Sequence, residues 1–339
     1  MSDTVRISLK DGETLVTQAF LASGVPQVTA ESVSRALIAA EAEGQSGHGF
    51  SRIDDYVAQV RSGKINADAQ PETELLAPSN LLTDAKQGFA YPALEQAIDR
   101  VAEIATSQGL ASVGITNSHH CGALSVQVEA LAKRGLVALM VANAPAAIAP
   151  WGSSVPVYGT NPIAFAAPRT DAAPLVIDLS LSRVARGKVM HAHKTGGTIP
   201  EGWALDPAGN PTTDPSQGLE GTMVPIGDAK GTLLALMVEI LASLMTGAAT
   251  SREATSFFVA DGPAPRVGQF ILAMQPNTQA GFAGRLEELL GLISSLDGAR
   301  LPGMRRADCI RQAQQNGLDV PAHYIERVRA LAGDAGVPE

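Results

Sequence analysis

Residues 112–143 read SVGITNSHHCGALSVQVEALAKRGLVALMVAN. The run 112–116 is short and apolar, the composition of a buried strand. Leu124, Val128 and Leu131 then recur at i, i+4 and i+7, one face of a helix, and Gly135 stands where a helix stops. The run 136–142 (LVALMVA) is a second buried strand, closing at Asn143. Strand, helix, strand in that order predicts an α/β domain. The junction itself holds His119, His120 and Cys121. Histidine is scarce here, six in 339 residues, so two side by side where a strand becomes a helix call for a chemical reason.

Outward from this core, PIAFAAP (162–168) and PLVIDLS (174–180) read as two more buried strands. Toward the N-terminus, helical spacing runs over 12–44, with a break at VPQ (25–27), then over 53–62 and 92–108, the last closed by Gly109. Residues 66–80 are polar and proline-containing, the composition of a linker or domain crossing. Residues 188–230 are rich in Gly, Pro, Thr and Asp, which predicts a long ordered loop region. Helices return over 231–248, 282–295 and 321–332.

At 339 residues the chain is long enough for about two domains, each with its own core. An apolar fraction of 45% and a charged fraction of 17% are those of a globular protein rather than a disordered one. The formal charge of −9 disfavours nucleic acid or an anionic membrane as partner, but not a small anionic ligand, which needs only a local cluster of cations. The most membrane-like stretch, GTLLALMVEILASLMTGAA from Gly231, carries Glu239 in its middle, so a buried or interface helix is expected. The first residues lack the basic-then-apolar layout of a signal peptide, and two cysteines are too few for a disulfide framework. A cytoplasmic setting is the expectation.

An α/β domain raises the question of nucleotide binding. The chain has no G-x-G-x-x-G, P-loop, G-x-S-x-G or H-E-x-x-H motif, which disfavours a Rossmann dehydrogenase and a P-loop enzyme. His191 and His193 would point the same way on a strand and, with His119, His120 and Cys121, could build a zinc site. A solvated HAHK segment beside glycines is the better reading, and no metal is expected. GHGFSRIDDY is more informative. On a helix His48, Arg52 and Tyr56 share a face at i, i+4 and i+8. An imidazole moves protons near neutral pH and a guanidinium grips a carboxylate bidentately. The same spacing also suits a capped surface helix with incidental polar residues.

Other sites stay similarly open. Thr160 and Asn161 stand at the mouth of a buried strand, either binding groups or an ordinary Asn-Pro turn. Asp178, Ser180 and Ser182 close a strand before Arg183, Arg186 and Lys188, and strand ends are where α/β proteins put ligands. Lys230 sits between glycines in GDAKG. Arg300, Arg305 and Arg306 cluster in RLPGMRR, as a phosphate pocket or as a solvated charge run.

Together, GHGFSRIDDYVAQVRSGKIN, NSHHCG, APWGSSVPVYGTNPIAFAAP, VIDLSLSRVARGK, IPEGWALDPAGNPTTDP, PIGDAKG and RLPGMRR resemble, in the same order, the type-2 malate/L-lactate dehydrogenases. That family includes sulfolactate and ureidoglycolate dehydrogenases and the Δ1-piperideine/Δ1-pyrroline-2-carboxylate reductases. The resemblance spans nearly the whole chain. It implies an α/β fold with a non-Rossmann NAD(P)-binding domain built on a mixed sheet (76–284), a helical substrate and dimerisation domain formed from both chain ends (1–75 and 285–339), and an interlocked homodimer. It implies NADP or NAD as cofactor, contacted by His120, Cys121, Gly122, Ala123 and Leu124, by Asp178, Leu179 and Ser180, and by Lys230, Arg305 and Arg306. A helix N-terminus suits a phosphate. His48 is implied as the catalytic acid/base, with His120 second because some members are described with that histidine in the role. Arg52 would hold the substrate carboxylate, with Thr160, Arg186, Gly187 and Lys188 also on the substrate side.

The resemblance also separates two reactions. In the cyclic-imine reductases a serine precedes the histidine and an aspartate follows the Arg-Gly pair, forming a relay. Here those positions are Gly47 and Lys188. A lysine makes the pocket more positive, which disfavours an iminium and favours an oxyanion or a second acidic group. A 2-hydroxy acid dehydrogenase of malate, lactate or 3-sulfolactate type is therefore expected, with the imine reductase as the alternative. Position 304 is Met where the family usually has Glu, so the cofactor contacts there differ.

Overall fold

The computed structural model describes residues 3–333; positions 1–2 and 334–339, which the expected helical unit also includes, lie outside the described residues. Near the N-terminus, helices α1 (Leu9–Ala22) and α2 (Gln27–Ala42) form a hairpin, and α3 (Ile53–Arg61) follows. Ser8 caps α1 by accepting the Asp11 N–H at 3.1 Å. Leu15, Phe20, Leu37, Ile53 and Tyr56 from this region share one core with Val320, Ile325 and Val328 from the other end of the chain. Strand Thr4–Ile7 pairs antiparallel with Leu318–Pro321, tying the two ends together.

A seven-stranded sheet forms the second layer. Its strands are β1 (Glu72–Ala77), β2 (Asn80–Asp84), β3 (Leu110–Ser118), β4 (Val137–Ala142), β5 (Ile163–Ala167), β6 (Leu175–Leu179) and β7 (Val267–Met274). Their spatial order is β1-β2-β3-β7-β4-β5-β6. Only β2 and β3 pair in parallel; the other pairs are antiparallel. The sheet is therefore mixed, as expected, and differs from an all-parallel doubly wound sheet. The opening stretch forms β3, α5 (Leu124–Ala132) and β4. β3 and β4 are not neighbours: β7, far along the chain, inserts between them antiparallel to both. Helix α4 (Ala90–Gln108) and α5 bury Leu94, Val101, Val128 and Leu131 against the sheet.

Three expectations need correction. The segment 66–80, read as a linker or domain crossing, is not structureless, because it contains β1. This edge strand is exposed along almost its whole length, so its sequence lacks the alternation that marks a half-buried strand. The region 188–230 is not a bare loop. It holds α6 (Arg186–Lys194), the short helix Pro215–Glu220 capped by Asp214, and a three-stranded sheet of two-residue strands. His191 and His193 thus stand on a helix, where residues two apart diverge rather than align. Helix Met304–Asn316 was also not anticipated; its apolar face is thin, with Ala313 its buried residue.

Glu239 explains the interrupted apolar helix. Helix α7 (Ala229–Glu239) ends there and passes into a π-helical turn, Ile240–Leu244. The buried carboxylate accepts from Asn161 Nδ2 at 2.9 Å, the Ser251 N–H at 2.5 Å and Ser251 Oγ at 2.6 Å. Asn161, at φ +38°, is pinned beside β5 by that contact and by the Ala235 carbonyl. No helix among the described residues is long and apolar enough to cross a membrane.

Candidate active site

GHGFSRIDDY is not one helix. Ser46–His48 and Phe50–Arg52 are separate 3-10 turns, and α3 starts at Ile53. Gly49 divides them: a Cβ there would lie 2.0 Å from Glu41 Oε2, and that carboxylate accepts the Phe50 N–H at 2.9 Å. The kink still brings the expected residues together. The His48 and His120 rings stack with centroids 5.2 Å apart. Tyr56 Oη lies 2.6 Å from His120 Nδ1 and 3.0 Å from Tyr91 Oη. Arg52, only 6% exposed, gives its Nε–H to the Gly47 carbonyl at 2.9 Å.

Three buried atoms around this cluster, His48 Nδ1, Arg52 Nη1 and His119 Nδ1, have no hydrogen-bond partner, and the first two adjoin each other. The carboxylate of Asp55 is 3.6 Å from Arg52 Nη1. Buried polar groups are seldom left without a hydrogen bond, so such an imidazole nitrogen near a guanidinium N–H whose ion-pair partner stands beyond hydrogen-bond distance marks a place for a polar ligand. Burial, then the Arg52 charge, pushes His48 down to about 3. Burial, then Arg52, His48 and His119, holds His120 well below its usual value. Both rings are neutral at physiological pH, and neutral imidazole is a base. Burial raises the Tyr56 and Tyr91 hydroxyls, which stay protonated.

The paired histidines divide the work. His120 faces Tyr56 and His48, whereas His119 Nε2 meets Gln59 Oε1 at 2.7 Å. A glutamine oxygen only accepts, so His119 carries its proton on Nε2. Phe257 touches both rings, with centroids 5.4 Å from His119 and 5.2 Å from His120. The Phe258 ring lies under the Arg52 guanidinium at 4.3 Å. Neither phenylalanine was anticipated. An FF pair in a chain with 4% aromatic residues was the available signal, but nothing local ties it to residues two hundred positions away.

The start of α5 is buried. Gly122 adopts φ +67°, and a Cβ there would lie 2.8 Å from Tyr91 Oη, so glycine is needed on both counts. Burial, then Asp178, pushes the Cys121 thiol up to about 12, leaving it unreactive. Ala123 is the N-cap and Leu124 the first residue of α5. The free N–H groups expected there are partly used: Asp178 Oδ2 accepts the Ser125 N–H at 2.8 Å. Ser125 Oγ bonds Glu43, whose other oxygen accepts from Arg306 at 2.7 Å. Arg306 also pairs with Glu129 at 2.8 Å. Asp178 thus ties α5 to β6, and Arg306, from helix Met304–Asn316, ties it to Glu43 at the end of α2.

The remaining expected residues are distributed around this centre. Leu179 is exposed at the end of β6, and Ser180 Oγ lies 2.7 Å from Ser182 Oγ and 3.4 Å from the Thr160 carbonyl. Arg186 opens α6 with Nη2 on the Leu219 carbonyl at 2.9 Å. Gly187 and Lys188 are exposed, with Lys188 Nζ 6.0 Å from the Trp203 ring centroid. Lys230 and Arg305 are exposed at helix starts. Among the described residues no three His, Cys, Asp or Glu side chains are grouped to hold a metal ion.

An imidazole beside a buried guanidinium is an arrangement that could move a proton next to a held carboxylate. Residues 7–329 match the family model for malate/L-lactate dehydrogenase. The chain is 49% identical over 327 residues to the (2R)-3-sulfolactate dehydrogenase (NADP(+)) of Chromohalobacter salexigens, covering 96% of this chain and 98% of that one. It is 36% identical over 333 residues to the Δ1-pyrroline-2-carboxylate/Δ1-piperideine-2-carboxylate reductase of Pseudomonas aeruginosa, covering 96% and 99%. The crystal structure of Δ1-piperideine-2-carboxylate reductase from Pseudomonas syringae pv. tomato superposes with a TM-score of 0.91 at 35% identity, over 97% of this chain and all of that one. The chain belongs to the malate/L-lactate dehydrogenase family.

Proposed function

We propose that this protein is an NADP-dependent 2-hydroxy acid dehydrogenase, working equally as a 2-oxo acid reductase, with a dianionic acid of the 3-sulfolactate or malate type as its preferred substrate. The observation that carries the reading is the pair of buried atoms without a hydrogen bond, His48 Nδ1 and Arg52 Nη1, the latter with only the Asp55 carboxylate near it at 3.6 Å. Arg52 grips the carboxylate, with its Nε already fixed to Gly47. His48, neutral at rest, takes the hydroxyl proton during oxidation and returns it during reduction. A bound anion offsets the Arg52 charge that helps hold His48 down, so substrate binding itself raises the basicity of His48. Tyr56 fixes the ring of His120, which backs His48 and is second choice as the acid/base.

A nicotinamide cofactor, when bound, supplies or accepts the hydride. The residues fit such a group. Gly122 keeps the chain close beside Tyr91, exposed Leu179 offers an apolar surface at the strand end, and exposed Lys230 and Arg305 offer cations for phosphate. The choice of NADP is supported by the sulfolactate dehydrogenase relative. Lys188, exposed beside Trp203, supplies the positive charge that a second acidic group needs.

The reading extends to assembly and setting. Leu233, Leu236, Met237, Leu244 and Met245 are exposed along α7 and its π turn, an apolar face of the kind that a second copy covers in a homodimer. Cys121 and Cys309 form no disulfide, which accords with a cytoplasmic setting. No nucleic acid partner is assigned, in keeping with the net charge of −9.

The alternative reaction is reduction of a cyclic imine, favoured by the similarity to the Pseudomonas reductases. Gly47 and Lys188 stand against it. The test is a substrate panel: oxaloacetate, pyruvate, 3-sulfopyruvate and Δ1-pyrroline-2-carboxylate, each with NADH and NADPH. The dianionic oxo acids with NADPH are expected to give the highest kcat/KM. Turnover of the imine alone would overturn the assignment.

A further inference from the structure

The segment 256–261 (SFFVAD) has no regular secondary structure, yet it is held along its length by α3 and the turn after it. Gln59 Nε2 donates to the Phe257 carbonyl at 2.8 Å and Ser62 Oγ to the Ala260 carbonyl at 2.8 Å. Lys64 Nζ donates to the carbonyls of Ser256, Val259 and Asp261 at 2.8, 2.7 and 3.3 Å. Every carbonyl from 256 to 261 except that of Phe258 is thus taken by a side chain from the other layer of the molecule. Lys64 is 2% exposed, and burial lowers its pKa. An ammonium has three N–H donors, and all three are spent on one loop.

The loop presents two aromatic rings in succession. Phe257 packs on His119 and His120, and Phe258 lies under the Arg52 guanidinium. Arg52 is therefore restrained at one edge by Gly47, on one face by Phe258 and more loosely by the Asp55 carboxylate at 3.6 Å from Nη1, which itself lacks a hydrogen-bond partner. A ring under a planar cation fixes its plane without using any of its N–H groups. A carboxylate or amide in place of the ring at 258 would compete with the ligand for those same donors.

We propose that Phe258 is a positioning residue that sets the plane of Arg52 for the substrate carboxylate, and that Lys64, by clamping the loop carbonyls, holds Phe258 in that place. The proposal rests on the reading of Arg52 as the carboxylate-binding group. Phe258 itself touches the arginine rather than the reacting atoms, so its loss weakens acid binding and leaves the proton-moving histidines intact.

The experiment is calorimetric titration of the full-length protein with oxalate, a compact dicarboxylate, in the presence of saturating NADPH. Variants are Arg52→Lys, Phe258→Leu, Phe258→Tyr and Lys64→Met, each checked for folding by circular dichroism. Phe258→Leu is expected to weaken oxalate about tenfold, the scale of a desolvated cation–π contact. Phe258→Tyr should bind within about threefold of the parent, because the ring face is retained. Lys64→Met should weaken oxalate in the same direction as Phe258→Leu. NADPH affinity, read separately by fluorescence, should stay level in the Phe258 variants. Phe258→Met keeps bulk without a ring and replaces the leucine variant if that one fails to fold. Weakening by Arg52→Lys but not by Phe258→Leu or Phe258→Met overturns this proposal alone. Unchanged binding in Arg52→Lys overturns the reading of Arg52 and the proposal with it.

Discussion

The imidazoles of His48 and His120 lie 5.2 Å apart between centroids with their planes 17° from parallel. Stacking at that distance suits two neutral rings and disfavours two cations. Burial, and then the charge of Arg52, keeps either ring from protonating readily.

Replacing His48 with Asn, which keeps polarity but cannot shuttle a proton, is expected to lower kcat by about 10²–10⁴-fold, the usual worth of a positioned acid/base. KM for the acid should change little if, as proposed, Arg52 holds the carboxylate. The same change at His120 should cost less. Steady-state kinetics in both directions check the ranking, and a larger loss at His120 would exchange their roles.

Tyr56→Phe removes the hydroxyl that meets His120 Nδ1 and Tyr91 Oη. One buried hydrogen bond near the chemistry is worth about 1–1.5 kcal/mol, so kcat should fall about five- to tenfold. The ring packing on Phe89 is retained, so the loss of stability should be limited to leaving Tyr91 Oη and His120 Nδ1 unpaired, about 1–3 kcal/mol. Loss of folding rather than of rate would assign Tyr56 a structural role only.

The three histidines make stability depend on pH. Burial pushes His48 and His119 down to about 3, and His120 well below its usual value. Above about pH 6.5 all three are neutral in folded and unfolded chain alike. Below it the unfolded chain binds protons that the folded chain refuses, so stability falls as pH drops from about 6.5 toward 3. Urea midpoints should therefore decrease steadily between pH 7 and 5, and His119→Gln should flatten the slope. A midpoint that rises on acidification would contradict these shifts.

Arg306 joins Glu43 and Glu129, with side chains 12%, 3% and 12% exposed. Arg306→Met leaves two enclosed carboxylates without their cation and should destabilise by about 3–5 kcal/mol. A urea melt measures this, and NADPH titration of the folded fraction measures any cofactor role. Weaker NADPH binding with an unchanged midpoint would show that the cofactor, not the brace, is what Arg306 serves.

Glu239→Ala strips the acceptor from Asn161 Nδ2 and from both donors of Ser251. Stability should fall by about 3 kcal/mol, because buried donors left unpaired carry their full desolvation cost. Glu239→Gln keeps one acceptor oxygen and should lose roughly half as much.

Local pattern determined a good deal of this protein. The strand and helix signals of 112–143 became β3, α5 and β4, and the boundaries of α1, α2, α4 and the last helix, Ala322–Ala332, agree with the spacing to within a few residues. Those segments are buried on one face or throughout, so their apolar periodicity is a direct image of the packing. The grouping of His48 and Arg52 was also legible, because the two lie four residues apart and stay close in a helix or in a pair of 3-10 turns. What only the tertiary structure decided is everything built between distant segments. β7 inserts between β3 and β4, Phe257 and Phe258 reach the histidines and Arg52, and Arg306 meets Glu43 and Glu129. Such contacts depend on which surfaces fold onto each other, and a one-dimensional pattern carries no record of distances across the chain. The exposed strand β1 was missed for the converse reason: hydrogen bonds to a neighbouring strand hold it, and backbone hydrogen bonds leave no trace in side-chain composition.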